Sequence, residues 1–233
     1  MISFATLTEE GTYQPTVWGY TALAVIAVLL LVAVAALVGR KRGGRRFTTT
    51  QITFSAIAMA LAFITSNIKL FYMPMGGSVT LLSMLFICLI GYWYGPYAGF
   101  TTAIAYGILQ MMIDPYILSI PQLFTDYIFA FGALGLAGFG HGKKYGLYWG
   151  YLLAVFGRFV FAVISGVIFF ASYAPDTMSP LAYSAAYNAT YLIPEAILTL
   201  VVVSIPPVRK AIDYVGTMAD PRSVTRSKTS GEA

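Results

Sequence analysis

The sequence predicts an all-α integral membrane protein: a bundle of six helices preceded by one extra N-terminal transmembrane helix. Of its 233 residues, 58% are hydrophobic and 10% are charged, whereas a soluble domain carries about 25% charged residues. Apolar runs of roughly 20 residues, the length of a membrane-spanning helix, recur between short polar loops. These runs lack the alternation of a transmembrane β-barrel, which is the other fold that satisfies backbone polar groups in lipid.

The first apolar segment covers residues 17–38. Glu9 and Glu10 precede it, and the basic run RKRGGRR at 40–46 follows it. A secretory signal carries its positive charge before the apolar region, so we expect this segment to be a membrane anchor. The positive-inside rule predicts an extracellular N-terminus and a cytoplasmic basic linker. Residues 1–46 are therefore separated from a second unit that begins at Phe47.

The second unit, residues 47–210, is predicted to contain six helices. Threonines before residue 50 can cap the first helix, and Pro74 with the Gly76-Gly77 pair breaks it. Pro96 fits the first turn of the third helix. The six predicted helices cover residues 50–70, 80–91, 96–113, 121–139, 147–171 and 181–205.

The ends of these helices carry turn and breaker residues. Asp114-Pro115 is expected to stop the third helix, and Pro206-Pro207 the sixth. The residues after the sixth helix are polar, and we expect them to be disordered from Asp213 onward. Residues 211–233 are thus predicted to form a polar cytoplasmic tail.

Loop charges agree with this helix count. If the 40–46 run is cytoplasmic, the basic segments at 141–144 and 208–210 are cytoplasmic as well, and the loops with Asp114 and Asp176 are extracellular. This arrangement follows the positive-inside rule over seven spans and places the C-terminus in the cytoplasm. The net charge of +5 is explained by these loops and does not indicate binding to nucleic acid.

Three ionisable residues fall well inside the predicted spans: Asp126, Arg158 and Glu195. A rise of about 1.5 Å per residue places Arg158 and Glu195 at a similar depth. An ion pair between them is plausible, because an unpaired charge in the membrane costs several kcal/mol. This pair is either a structural clamp or part of a binding site.

Asp126 lies at a shallower level, beside Tyr127 and near the expected level of Tyr183 and Asn188. The charges of Asp126, Arg158 and Glu195 sum to one negative charge, which suits a monovalent organic cation. Aromatic walls from Tyr106 and Phe170 could add cation–π contacts. Tyrosines also form interfacial belts. We expect a belt role for Tyr72, Tyr116 and Tyr173, and a pocket role for Tyr183 and Asn188.

The first helix of the unit carries the segment AIAMALA, which places Ala56 and Ala60 on one face. Small residues at this spacing let another helix approach closely. Packing inside the bundle and docking of a partner protein are both consistent with the spacing.

Four motifs together carry a family resemblance: MPMGGSVTLLSML, TDYIFAFGALGLAG, ISGVIFFASYAPD and YNATYLIPEA. They resemble the thiamine-specific S component of energy-coupling factor transporters over about residues 47–210. The resemblance implies a binding protein of the bacterial cell membrane, with no enzymatic activity and no cofactor. Such proteins present thiamine from an outward-facing pocket to a transmembrane coupling subunit with two cytosolic ATPases.

The resemblance also implies roles for individual residues. The family's acidic-aromatic pair falls on Asp126 and Tyr127, and a lid loop on residues 73–80, which include Gly76. Ala162 stands where the family generally has a histidine, so a related pyrimidine or a thiamine precursor is an alternative ligand. The other residues implied are Phe170, Tyr183 and Asn188 as ligand contacts, and Ala56 and Ala60 as the docking motif for the coupling subunit. We add Tyr106 and Glu195 as candidate ligand contacts.

Other function classes have less support. The segment AGFGHGKK at 137–144 lacks the first glycine and the final Ser/Thr of a phosphate loop, so energy must come from partners or from a gradient. A stand-alone carrier in which Asp126 or Glu195 titrates would be supported by inverted repeats, which are not evident. A membrane enzyme is disfavoured because His141 is the only histidine, Cys88 is the only cysteine, and no nucleophile elbow is present.

Overall fold

The computed structural model describes residues 5–7, 13–18, 21, 47–112 and 116–220. Near the N-terminus, strand β1 (Ala5–Leu7) pairs antiparallel with β2 (Tyr13–Pro15). Most of the predicted anchor at residues 17–38, and the predicted breaker Asp114-Pro115, lie outside the described residues.

All six helices predicted for the second unit are present, which confirms the helical membrane fold. The six helices are α1 (Thr49–Ser66), α2 (Ser83–Tyr94), α3 (Pro96–Met111), α4 (Ile120–Gly140), α5 (Gly146–Phe169) and α6 (Pro180–Ser204). Four of these described helices, α1, α4, α5 and α6, are long and apolar enough to cross a membrane, whereas α2 is a shorter apolar helix.

Helix α4 is not a regular α-helix. After a first turn at Ile120–Leu123, residues Phe124–Phe129 form a π-helical segment, and Ala133–Gly140 form a 3₁₀ helix. A π-helical turn inside a helix shifts the direction of the side chains that follow and is frequent at functional sites. The π segment contains Asp126 and Tyr127, the acidic-aromatic pair.

Helix starts follow the local sequence. Thr48 and Gln51 form a capping box before α1, in which each side chain accepts a hydrogen bond from the backbone N–H of the other residue. This confirms the predicted threonine cap. Pro96 and Pro180 occupy the first turns of α3 and α6, where a missing N–H leaves no helical hydrogen bond unmade.

The segment after α1 is a β-hairpin, which corrects the prediction of a longer helix followed by a loop. The helix ends at Ser66, and β3 (Lys69–Tyr72) pairs antiparallel with β4 (Ser78–Thr80). Gly76 and Gly77 have φ values of +102° and +76°, a region that glycine enters without steric cost. The glycines therefore make the turn of a hairpin instead of merely ending a helix.

A seventh helix, α7 (Pro206–Ala219), follows α6 directly. The prediction of disorder from Asp213 is wrong as far as Ala219, and the helix continues across the predicted domain boundary after residue 210. A proline that ends one helix can also occupy the first turn of the next, because a backbone N–H at that position has no partner within the helix. Ile212, Gly216 and Ala219 recur at helical spacing and are buried, so packing against the bundle stabilises this polar segment.

Helices α2, α3 and α4 are in contact through glycines. A Cβ atom on Gly138 of α4 would lie 2.3 Å from Cα of Pro96, and one on Gly91 of α2 would lie 2.7 Å from the backbone N of Gly138. A Cβ on Gly99 of α3 would lie 2.9 Å from Cα of Gly91. The backbones approach so closely that no side chain fits between them, as is common in membrane proteins.

Gly138→Ala should therefore destabilise the bundle. The added methyl group meets backbone atoms that cannot move aside, so we expect a cost of about 1–3 kcal/mol and a Tm lower by roughly 2–12 °C. Gly132→Ala on the same helix is the control, since its Cβ would meet only Cγ1 of Ile104, at 3.3 Å. Thermal unfolding of the purified variants in detergent measures both changes. Equal Tm values for the two variants would contradict the proposed close packing.

Candidate binding site

A cavity of about 560 Å³ lies between α4, α5 and α6. It occurs at the end of the bundle that carries the hairpin, and Met75 from the hairpin turn contributes to its lining. Asp126 on α4 and Arg158 on α5 are the charged side chains of the lining. The remaining lining residues are mostly aromatic or small. The structure thus brings Asp126, Tyr127, Phe170, Tyr183 and Asn188 to one cavity, as the sequence predicts.

The Asp126 carboxylate is held by a neighbouring amide. Gln122, one helical turn earlier and 1% exposed, donates from Nε2 to Asp126 Oδ2 at 2.6 Å and to the carbonyl oxygen of Tyr116 at 3.0 Å. Its Oε1 accepts a hydrogen bond from the backbone N–H of Leu118 at 3.1 Å. Gln122 therefore orients the carboxylate and ties it to the segment before α4. Sequence reasoning missed Gln122, although its i, i+4 spacing to Asp126 was a usable signal.

A polar strip of α6 forms the opposite wall. Tyr183, Tyr187, Asn188 and Tyr191 all line the cavity. Tyr191 donates from its hydroxyl to Asn188 Oδ1 at 2.6 Å, and Asn188 Nδ2 donates to the carbonyl oxygen of Ser184 at 2.9 Å. Asn188 is thus held in one orientation. The sequence predicts Tyr183 and Asn188 as ligand contacts, and the structure adds Tyr187 and Tyr191 of the same polar strip to the lining.

The rim of the cavity is aromatic. Phe170 stacks on Tyr116 with ring centroids 5.8 Å apart, and the hydroxyl groups of Tyr116 and Tyr173 are 2.9 Å apart. The Tyr127 hydroxyl accepts a hydrogen bond from the backbone N–H of Tyr116 at 3.0 Å. Tyr116 and Tyr173 both line the cavity, a position that the sequence did not predict for them. Both are also exposed, so the predicted belt role stays a prediction beside their place at the rim.

Tyr106 does not line the cavity, contrary to the prediction of an aromatic wall at this position. It is 1% exposed and donates from its hydroxyl to the carbonyl oxygen of Ala62 at 3.1 Å. Its ring meets Phe131 edge-on, with centroids 5.5 Å apart, and Phe131 itself lines the cavity. Tyr106 therefore supports the wall from behind.

The predicted ion pair between Arg158 and Glu195 is wrong. Within the described part of the chain, the salt bridge that does form joins a different pair: Arg209 Nε and Asp213 Oδ2 on α7, 3.0 Å apart. The Arg158 guanidinium lies 4.1 Å above the centroid of the Phe131 ring, a cation–π arrangement. Glu195 is 3% exposed and accepts hydrogen bonds from Thr80 and Ser83. Equal depth did not bring the two charges together because the side chains leave their helices in different directions.

Glu195 is consequently not part of the cavity lining, and its predicted role as a ligand contact is not supported. Gly76 also lies behind the lining: a Cβ on Gly76 would lie 3.0 Å from the Tyr187 ring. The hairpin turn is therefore packed against α6, and Met75 is its residue that faces the cavity.

Comparison with known proteins identifies the family. The family model described as "Thiamine transporter protein (Thia_YuaJ)" matches residues 52–213. The chain belongs to this thiamine transporter family. It is 36% identical over 166 residues to the thiamine transporter ThiT of Bacillus subtilis (strain 168), covering 65% of this chain and 85% of the relative. These relatives are named as transporters, which agrees with the prediction of a protein that is not an enzyme.

A solved structure supports the fold. The structure of ThiT from Listeria monocytogenes aligns with a TM-score of 0.54 at 20% sequence identity, over 67% of this chain and 90% of that chain. At this identity the match concerns the fold alone. Together with the family model, it confirms the resemblance to thiamine transporters drawn from the sequence motifs.

The cavity wall on α5 consists of small residues. Ala162, the position at which the resemblance predicts a histidine, lines the cavity together with Ser165 and Gly166. The Ser165 hydroxyl is buried and interacts with the Asp126 carboxyl. A side chain at Gly166 would meet Ser184 of α6, so the room on this wall is beside Ala162.

Ala56 and Ala60 lie on a different surface. Both are exposed on α1, next to the exposed apolar side chains of Ile52, Ile57 and Ile64. Neither alanine belongs to the buried core, so packing within the described bundle does not explain their spacing.

Proposed function

We propose that this chain is the substrate-binding membrane subunit for thiamine uptake, holding thiamine in the cavity between α4, α5 and α6. The observation that carries this proposal is the Asp126 carboxylate, oriented by Gln122 and surrounded by aromatic side chains, in a chain of the thiamine transporter family. Thiamine joins a cationic thiazolium ring to an aminopyrimidine, and both rings are planar. A carboxylate between aromatic walls complements this chemistry.

The dimensions and polar groups support a ligand of this size. Small-molecule pockets usually have volumes of about 300–1,000 Å³, and the cavity of about 560 Å³ falls within that range. Asp126 would attract the cation and accept a hydrogen bond, while Phe170, Tyr127 and Tyr183 would stack against the rings. Asn188 and the Ser165 hydroxyl would complete the polar contacts.

The charges of the lining refine the expected orientation. Because Glu195 lies outside the cavity, the charges of Asp126 and Arg158 cancel, and no net negative charge attracts the ligand. The cationic ring should therefore lie close to Asp126 and away from Arg158, whose guanidinium is held over Phe131. A second candidate ligand is a related pyrimidine or thiamine precursor, since Ala162 lines the cavity where the resemblance predicts a histidine.

The same proposal includes delivery through an energy-coupling factor complex. Its support is the exposed, small-residue face of α1 around Ala56 and Ala60, on which a helix of the coupling subunit could pack closely. Two cytosolic ATPases would supply the energy. The proposed orientation places the hairpin and cavity outside the cell, with the basic loop at Lys143 and Lys144 and helix α7 in the cytoplasm.

Calorimetry on the purified chain tests the ligand. Thiamine, its phosphates and the free pyrimidine are titrated separately into the protein in detergent. We expect thiamine to bind one site per chain more tightly than the free pyrimidine, because only thiamine presents a cation to Asp126. Binding of the pyrimidine alone would support the second candidate. Absence of binding by all these compounds would contradict the thiamine proposal.

Asp126→Asn should weaken thiamine binding by about 10- to 100-fold, since a hydrogen bond to a charged group contributes roughly 1.5–3 kcal/mol. Tyr173→Phe is the matched control. It removes a hydroxyl at the rim that bonds to Tyr116, so its effect should be less than about threefold, as for a single exposed neutral hydrogen bond. Kd values from calorimetry distinguish the two, and equal losses would contradict the assignment of Asp126.

Ala60→Leu should abolish uptake without changing thiamine binding, because the larger side chain keeps the partner helix from approaching α1. Uptake of radiolabelled thiamine is measured in cells that contain the coupling subunit and ATPases, and Kd is measured on the purified variant. Ala182→Leu, at an exposed alanine of α6, is the control and should leave both values unchanged. Full uptake by Ala60→Leu would contradict docking at this face.

A further inference from the structure

Glu195 has an arrangement of hydrogen bonds that the binding cavity does not explain. Its Oε2 accepts from the backbone N–H of Thr80 at 3.1 Å and from Thr80 Oγ1 at 2.8 Å, and its Oε1 accepts from Ser83 Oγ at 3.2 Å. Thr80 is the last residue of β4, and Ser83 is the first of α2. The carboxylate of α6 thus binds the junction at which the hairpin joins the bundle.

The turn of the hairpin contacts the same helix. A Cβ atom on Gly76 would lie 3.0 Å from the Tyr187 ring, and a Cβ on Gly77 would lie 2.7 Å from Cδ1 of Tyr191. Tyr187, Tyr191 and Glu195 follow one another at four-residue intervals, so they share one face of α6. This face therefore holds both the turn and the base of the hairpin.

Of the two strands of the hairpin, β4 is the one that packs against the bundle. Val79 and Thr80 of β4 are buried, whereas all four residues of β3 are exposed. Between Thr80 and Ser83, Leu82 has a φ of +59°, a conformation that a residue with a branched side chain adopts only when its surroundings impose it. Glu195 binds the backbone N–H and hydroxyl of Thr80 before this residue and the hydroxyl of Ser83 after it.

We propose that Glu195 is a positioning residue that holds the hairpin closed over the cavity and thereby sets how long a ligand stays bound. It does so through Thr80 and Ser83 and touches no ligand itself. A carboxylate suits this task because it accepts hydrogen bonds at both oxygens. Glutamine has one acceptor oxygen and an NH₂ group in place of the other, so Glu195→Gln cannot accept at both positions. Its neutral hydrogen bonds are also weaker than those of the carboxylate.

Thiol labelling tests the position of the hairpin without any ligand. Met75→Cys places a thiol in the part of the hairpin that faces the cavity, and the native Cys88 is 0% exposed and so adds little background. The labelling rate is compared in detergent between Met75→Cys alone and Met75→Cys combined with Glu195→Gln. We expect the second protein to react at least about tenfold faster, because the hairpin opens more often.

A thiol outside the hairpin provides the control. Met178→Cys lies in the loop before α6, at a position that is 38% exposed, and its labelling rate should not change when Glu195→Gln is added. Equal acceleration at both positions would show general destabilisation and would overturn the proposal, as would an unchanged rate at position 75. If Glu195→Gln fails to fold, Thr80→Val serves instead, since it removes one donor and keeps the backbone bond; its acceleration should be smaller.

The effect on ligand retention rests on the proposed function and is measured separately. Glu195→Gln should raise the dissociation rate of thiamine about tenfold and leave the association rate within about twofold. Faster labelling at position 75 with no thiamine binding by any variant would support the hairpin role and contradict the thiamine proposal. An unchanged dissociation rate in a protein that binds thiamine would overturn the role of Glu195.

Discussion

The absence of water in the membrane is the constraint on which this structure depends. Every polar group that lies at membrane depth needs a partner within the protein, because lipid offers none. Helix α6 has a tyrosine-rich polar strip and a buried carboxylate. Asn188 is bound within the helix by Tyr191 and Ser184, and Glu195 is bound by the base of the hairpin. Helix α6 thus binds the hairpin and forms a wall of the cavity.

The helices of the bundle approach closely wherever glycines face one another. Glycines let the backbones of α2, α3 and α4 come into direct contact, and Gly150 of α5 packs in the same way on Ala137 of α4. Toward the hairpin end, aromatic side chains of α4, α5 and α6 enclose the cavity. The π-helical segment of α4 contains Asp126, which lines this cavity.

The charges inside the bundle illustrate why depth alone is a weak predictor. Arg158 and Glu195 are predicted at similar depths, yet the arginine packs on Phe131 and the glutamate on the hairpin. Each side chain has a local partner other than the opposite charge. One charged group therefore lines the cavity, and the other binds the hairpin.

Composition and motifs were sufficient to predict the class of the protein, the six helices and much of the pocket. Long apolar runs admit few structures in lipid, and Asp126, Tyr127, Phe170, Tyr183 and Asn188 were identifiable from motif and depth. The hairpin, helix α7, the place of Tyr106 behind the wall and the partner of Glu195 were decided only by tertiary structure. Periodicity gives the depth of a side chain along its helix, but the rotation of that helix and its neighbours decide what the side chain contacts.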